Sequence, residues 1–368
     1  MSKIPASLTR ALALSAALAV SLLAACSSST TGSSSSAPST ASALRRAIKA
    51  DSGEAHFGGL TQLTDGGENA EAYFSADGQF ITFQSTRDGR TCDQQYTMRA
   101  DGSELTKVSR GGKTTCGWFL PGNTRLFFGA THHADSACPP KPDPSAGYVW
   151  GIDPYDIYTT DRDGKNMKRL TNYGVYTAEG VLSPDGKRIV FTSLKDGDLD
   201  IYTMNVDGSD VKRLTTTPGY DGGPWWSPDG TKIVYRAWHY DNPTDLKAYQ
   251  DLLKKGMIRP NRMELFVMNA DGSDQRQITT LGGANFGPSW TPDGQAIIFS
   301  SNHKNPRSRN FDLYTVKLDG SGLKQITTNP EFDGFPMFSP DGRKLIFASN
   351  RGATKQGETN LFIAEWKN

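Results

Sequence analysis

One four-residue phrase recurs along the chain and constrains its fold more than any other feature. It reads Ser183-Pro184-Asp185-Gly186, Ser227-Pro228-Asp229-Gly230 and Ser339-Pro340-Asp341-Gly342, with variants beginning at Thr291, Ser75 and Leu120. Each copy precedes an apolar run such as Lys187-Arg188-Ile189-Val190-Phe191, then an aromatic-bearing run such as Asp200-Ile201-Tyr202-Thr203-Met204, then an Asp-Gly such as Asp207-Gly208. Pro presets the first dihedral of a turn and Gly accepts positive φ, so these phrases mark turns between short strands. From first residues at 75, 120, 183, 227, 291 and 339, the intervals run 45, 63, 44, 64 and 48 residues. Four strands per unit at that period predict an all-β, six-bladed propeller, two of whose blades carry insertions, at 129–154 and 237–261.

The outermost strand of a unit ends in a phrase like Lys212-Arg213-Leu214-Thr215. The sixth unit lacks one, while an orphan, Thr61-Gln62-Leu63-Thr64, stands before the first. The N-terminal strand is therefore expected to be the outer strand of the last blade, which removes the open edges of the ring.

The residues ahead of the repeats read as an export leader. Lys3 and Arg10 precede an apolar run from Ala11 to Ala25, and Leu23-Ala24-Ala25-Cys26 follows the pattern of a bacterial lipobox. The expected organisation is a signal peptide over 1–25, a lipidated Cys26 with a Ser-rich tether over 26–55, and a propeller over 56–368. Ser27 after the cysteine implies the outer membrane under enteric-type sorting, with the domain on the periplasmic side. Forty Lys+Arg against 39 Asp+Glu leave no electrostatic footprint for nucleic acid.

The order Leu-Thr, Ser-Pro-Asp-Gly, Asp-Ile-Tyr-x-Met-Asn-x-Asp-Gly-Ser resembles the TolB-type six-bladed propeller repeat family over residues 56–368. The resemblance implies a periplasmic, membrane-tethered propeller that works through contacts. Residues 27–55 are too few for the separate α/β domain that precedes the propeller in TolB itself. The Gly-x-Ser-x-Gly elbow of the propeller-bearing peptidases is missing as well.

In a propeller blade, the loops between second and third strands open on the face opposite the Ser-Pro-Asp-Gly turns, so both insertions rise on one face. Long loops in compact domains concentrate function, which places the binding surface there. The second insertion holds Asn242-Pro243 followed by Leu246, Tyr249, Leu252 and Leu253 at helical spacing, a helix expected to support a lid. Aligning the blades puts Asn69, Asp221, Asn285 and Asp333 at one rim position, Glu71 and Glu179 two residues further on, and Tyr176, Tyr220 and Phe332 nearer the mouth. These nine are the candidate ligand-binding residues.

No cofactor is expected from any compact ligand motif. Glu71 and Glu179 together with His132 and His133 nonetheless form a candidate divalent-metal set, against the plainer reading of carboxylates that accept hydrogen bonds from neighbouring loops. Cys92, Cys116 and Cys138 are disulfide candidates whose pairing the odd count leaves open. The leading expectation is a non-catalytic propeller that binds a protein, peptide or cell-envelope ligand. The rival is a metal-assisted hydrolase or lyase at the channel mouth.

Overall fold

The computed structural model describes residues 46–367; the expected signal peptide, Cys26 and most of the tether lie outside them. Six antiparallel sheets stand around a central channel. Blade three is the plainest copy, with strands Thr177–Leu182, Arg188–Ser193, Asp200–Asn205 and Lys212–Arg213 running from the channel outwards.

Two side-chain devices explain why the repeats read as they do. In the Ser-Pro-Asp-Gly turn, Ser183 Oγ donates to Asp185 Oδ1 at 2.6 Å and accepts the Arg188 N–H at 2.9 Å, while Gly186 sits at φ 73°. The turn is thus held by its own side chains, the local competition with backbone partners that favours Ser and Asp at such sites. In the Leu-Thr phrase, Thr215 Oγ1 accepts the Ile201 N–H at 2.9 Å and donates to Asp200 at 3.1 Å, which clasps the outer edge of the blade to its third strand.

The orphan phrase completes the last blade in the same way. Phe57–Gln62 pairs antiparallel with Asn360–Trp366, and Thr64 Oγ1 accepts the Leu361 N–H at 2.9 Å and donates to Asn360 at 3.0 Å. A fifth strand, Arg46–Ile48, adds outside it. The expected tether boundary at residue 55 is corrected here: residues 46–55 belong to the folded body, and Glu54 is 2% exposed. The reason is a buried ion pair that composition could not show. Arg351 donates to both Glu54 oxygens at 3.0 and 2.8 Å.

The core lies between blades. Second and third strands are buried on both faces, with Phe191 and Tyr202 packed against blade two and Val190 and Ile201 against blade four. Burial of this kind, at about 25 cal/mol per Å² of apolar surface, is the main driving force for the ring.

Candidate functional site

The innermost strand of every blade is interrupted by a β-bulge, and the bulged residue turns its backbone into the channel. Pairing shifts occur between Ala70 and Tyr73 in blade one and between Ala178 and Val181 in blade three, with equivalents in the other four. The six bulge residues, Glu71, Cys116, Glu179, Gly223, Gly287 and Phe335, all have φ between 45 and 59°. Gly occupies that region freely, but Glu, Cys and Phe are held there at a cost, which the surrounding sheet must offset. Four non-glycine residues in this conformation at one ring of the channel mark the ring as a place where side-chain identity matters.

Their side chains meet. Glu71 Oε2 accepts from the Cys116 thiol at 2.7 Å and from the Cys116 N–H at 3.2 Å. Glu179 Oε2 accepts the Gly223 N–H at 2.9 Å, and its other oxygen is bound by the Arg236 guanidinium. Arg236 Nε also donates to the Tyr220 hydroxyl at 3.0 Å. Burial pushes the Glu71 carboxyl up to about 6, and burial also raises the Cys116 thiol well above the usual thiol range, so Cys116 is a hydrogen-bond donor here and a poor nucleophile. Below this ring Tyr73, Trp118 and Trp225 meet across the channel, with centroids 4.9 to 5.3 Å apart.

Above the ring the channel widens into a cavity of about 900 Å³ on the inserted face. Both insertions wall it. Trp150 from the first lies over Arg236 at 5.4 Å, and the strand Trp150–Gly151 pairs with Met257–Ile258 of the second. The predicted helix is Pro243–Leu253, capped by Asn242, whose side chain accepts the Asp245 N–H at 2.8 Å. Its Tyr249 and Leu253 are buried, and Tyr249 donates to Asp198 of blade three at 2.6 Å, so the helix props the insertions as a lid support does.

The structure divides the nine candidate residues. Glu71, Tyr176, Glu179 and Phe332 line the cavity. Asn69, Asp221, Asn285 and Asp333 do not; each has 0% exposure and serves the fold. Asn69 donates to the Thr359 carbonyl at 2.7 Å, Asn285 to that of Met263 at 2.7 Å, Asp221 faces His239 at 3.0 Å and Asp333 binds Arg351. At this register the side chains turn into the fold, Asn69 and Asn285 to backbone of the preceding blade and Asp221 and Asp333 to side chains of their own. Tyr220 is also buried and acts on Arg236.

The candidate metal set does not converge. His133 Nε2 faces Asp156 at 3.3 Å and the His132 ring packs at a tilt against Tyr158 with centroids 4.1 Å apart, both partners lying on the third strand of blade two, while Glu71 and Glu179 stand at the channel. Among the described residues no group of three or more His, Cys, Asp or Glu side chains is arranged to hold a metal ion. Cys92 and Cys138 form the disulfide, with Cα atoms 5.6 Å apart, and Cys116 stays reduced and buried.

Sequence reasoning missed Arg236. Its signal was present: at the paired position of the second strand the other blades carry Gln84, Gly129, Thr192, Ser300 and Ala348, so a long cation stands where neutral side chains are the rule.

The family model for the TolB beta propeller domain matches residues 151–244. A search of curated proteins finds no match. Among solved structures, a putative TolB from Agrobacterium tumefaciens is similar at 18% identity and TM-score 0.50, over 82% of this chain and 91% of that one. TolB from Acinetobacter baumannii is similar at 17% identity and TM-score 0.51, over 82% of this chain and 65% of that one. An oligogalacturonate lyase in complex with manganese is similar at 14% identity and TM-score 0.50, over 89% of this chain and 97% of that one. At these identities the likeness is one of fold: this chain is a closed six-bladed β-propeller, and its residues 151–244 match the TolB beta propeller model.

Proposed function

We propose that the protein is a cell-envelope binding module, lipid-anchored at Cys26 on the periplasmic side, that takes up a protein or peptide segment in the mouth of the inserted face. One observation carries this reading. The inserted face is walled by side chains that belong to single blades, such as Trp150, Arg236 and Phe335, whereas the cavity of about 590 Å³ on the turn face is lined by the repeated Ser-Pro phrases and strand-end aromatics. Residues repeated in every blade make the fold; residues found in one blade make a site.

The chemistry at the ring favours holding over reacting. Glu179 and Arg236 neutralise each other, and the Cys116 thiol is bound to Glu71. A hydrolase or lyase would need a free base or a metal-bound water aimed into the mouth. The imidazoles expected for that role are bound up in blade two.

The test is photo-crosslinking in cells, with the reactive group at Tyr148 on the inserted face or at Asp185 on the turn face. The expected result is an envelope protein adduct from position 148, recovered with membranes and redistributed to the soluble fraction by Cys26→Ser. An adduct from position 185 alone would overturn the assignment of the face.

A further inference from the structure

We propose that the mouth selects an acidic peptide segment bearing a bulky apolar side chain; this rests on the reading of the mouth as a binding site and names its ligand class. Almost every carboxylate lining the cavity is already engaged. Asp153 pairs with Lys113 at 3.0 Å, Glu179 with Arg236, and Asp93 accepts from Thr86 at 2.7 Å and from Gln84 at 3.2 Å. Glu71 holds the Cys116 thiol. Glu68 remains open to water on the blade-one side.

The cations are placed differently. Lys141 of the first insertion and Arg307 and Arg309 of blade five line the same cavity, all exposed, and none makes an ion pair with a carboxylate among the described residues. Arg309 lies over the Tyr148 ring at 5.9 Å, and Tyr148 is itself 49% exposed. Over the whole lining the charges balance, five cations against five carboxylates, but among the exposed side chains three cations stand against Glu68 alone, so the water-facing rim is positive. Exposed guanidinium groups are suited to carboxylates, which they meet in a planar two-point fork, and Arg307 and Arg309 stand together on the blade-five side, away from Glu68 of blade one.

The wall beneath the rim decides what accompanies the acid. Phe286, Phe311, Phe332 and Phe335 pack together there, with centroids 4.6 to 6.1 Å apart. This shelf offers no hydroxyl or amide, and the nearby Asn285 and Asp333 are turned into the fold. A saccharide would leave its hydroxyls unpaired on such a surface, whereas an aromatic or aliphatic side chain of a peptide gains from it. Charge at the rim and phenylalanine below thus fit a peptide carrying Glu or Asp next to a large apolar residue.

The experiment titrates the purified full chain with three labelled probes and reads fluorescence anisotropy. The probes are a Gly-Ser-spaced peptide carrying Phe and Glu, its counterpart carrying Phe and Lys, and an oligouronate. The expected result is binding of the Glu peptide at least about tenfold tighter than either of the others, weakening as salt rises from about 0.1 to about 1 M. Arg307→Gln with Arg309→Gln, at exposed positions outside the core, is expected to remove about tenfold of that affinity, and Arg307→Glu with Arg309→Glu to reverse the preference. Equal or tighter binding of the Lys peptide, tighter binding of the oligouronate, or no binding of any probe would overturn the inference. If the Tyr148 crosslink still captures an envelope protein in those cases, the mouth stands as a binding site and the acidic class alone falls; if that crosslink fails too, both fall.

Discussion

Arg236 and Arg351 are both buried arginines at the inserted end of the propeller, yet their surroundings differ. Arg351 is 5% exposed and donates to two carboxylates, Glu54 at 3.0 and 2.8 Å and Asp333 at 3.0 and 2.8 Å. One comes from the N-terminal segment and one from the last blade, so the guanidinium fastens the ring at its seam. Arg236 is 7% exposed and binds one carboxylate, Glu179 of the neighbouring blade, with the Tyr220 hydroxyl. Its outer face lies beneath Trp150 at the cavity wall. Burial alone does not separate a weld from a site. The separation comes from what the remaining face of the side chain meets, protein on all sides for Arg351 and an open mouth for Arg236.

Removing the weld is expected to have the largest effect. Arg351→Met strands two buried carboxylates and should cost about 3–5 kcal/mol of unfolding free energy, measured by urea titration near neutral pH. A loss below about 1 kcal/mol, the range of an exposed pair, would break the comparison by showing that the seam is held by strand pairing alone.

Arg236→Met comes second, at about 2–3 kcal/mol, because Glu179 keeps the Gly223 N–H as a partner and borders the channel. Crosslinking from Tyr148 should fall with it, while Arg351→Met protein that remains folded should crosslink normally. Equal crosslinking by both variants would erase the distinction drawn between them.

The smallest effect should be a gain. The folded Glu71 carboxyl is pushed up from 4.5 to about 6, so the native state binds the extra proton between those values and stability falls as pH rises through them. Glu71→Gln keeps an acceptor for the Cys116 thiol and abolishes this slope. It should stabilise the protein above pH 6 by about 1–2 kcal/mol, the lower end applying because the side chain reaches channel water. A destabilised Glu71→Gln protein with an unchanged pH profile would show that the ionised carboxylate is the form the ring requires.

Most of the fold was legible because its information is local and repeated. Ser183, Asp185 and Gly186 carry their own turn, Thr215 its own clasp, and the missing sixth Leu-Thr phrase pointed to the closing strand. The site was legible only in part. Aligned repeats located Glu71 and Glu179, since the bulge occurs at the same register in every blade. They also singled out Asn69, Asp221, Asn285 and Asp333, whose polarity serves hydrogen bonds within and between blades, and alignment cannot tell a side chain facing the channel from one turned into the fold. His132 and His133 lie against Asp156 and Tyr158 of their own blade rather than beside Glu71 and Glu179, because a loop of that length can fold back along its blade through contacts that no spacing encodes. The Glu54–Arg351 pair joins residues 297 apart in sequence, and neither partner stands out in its own segment.

The short pairing of Trp150–Gly151 with Met257–Ile258 ties two loops whose stems stand on either side of blade three. Either loop, trimmed by itself, would leave its partner with unmatched backbone amides at a solvent-facing edge and take a wall from the cavity they share. The two are therefore expected to be gained, lengthened or lost together during divergence, as a single architectural unit written in two separate stretches of the gene.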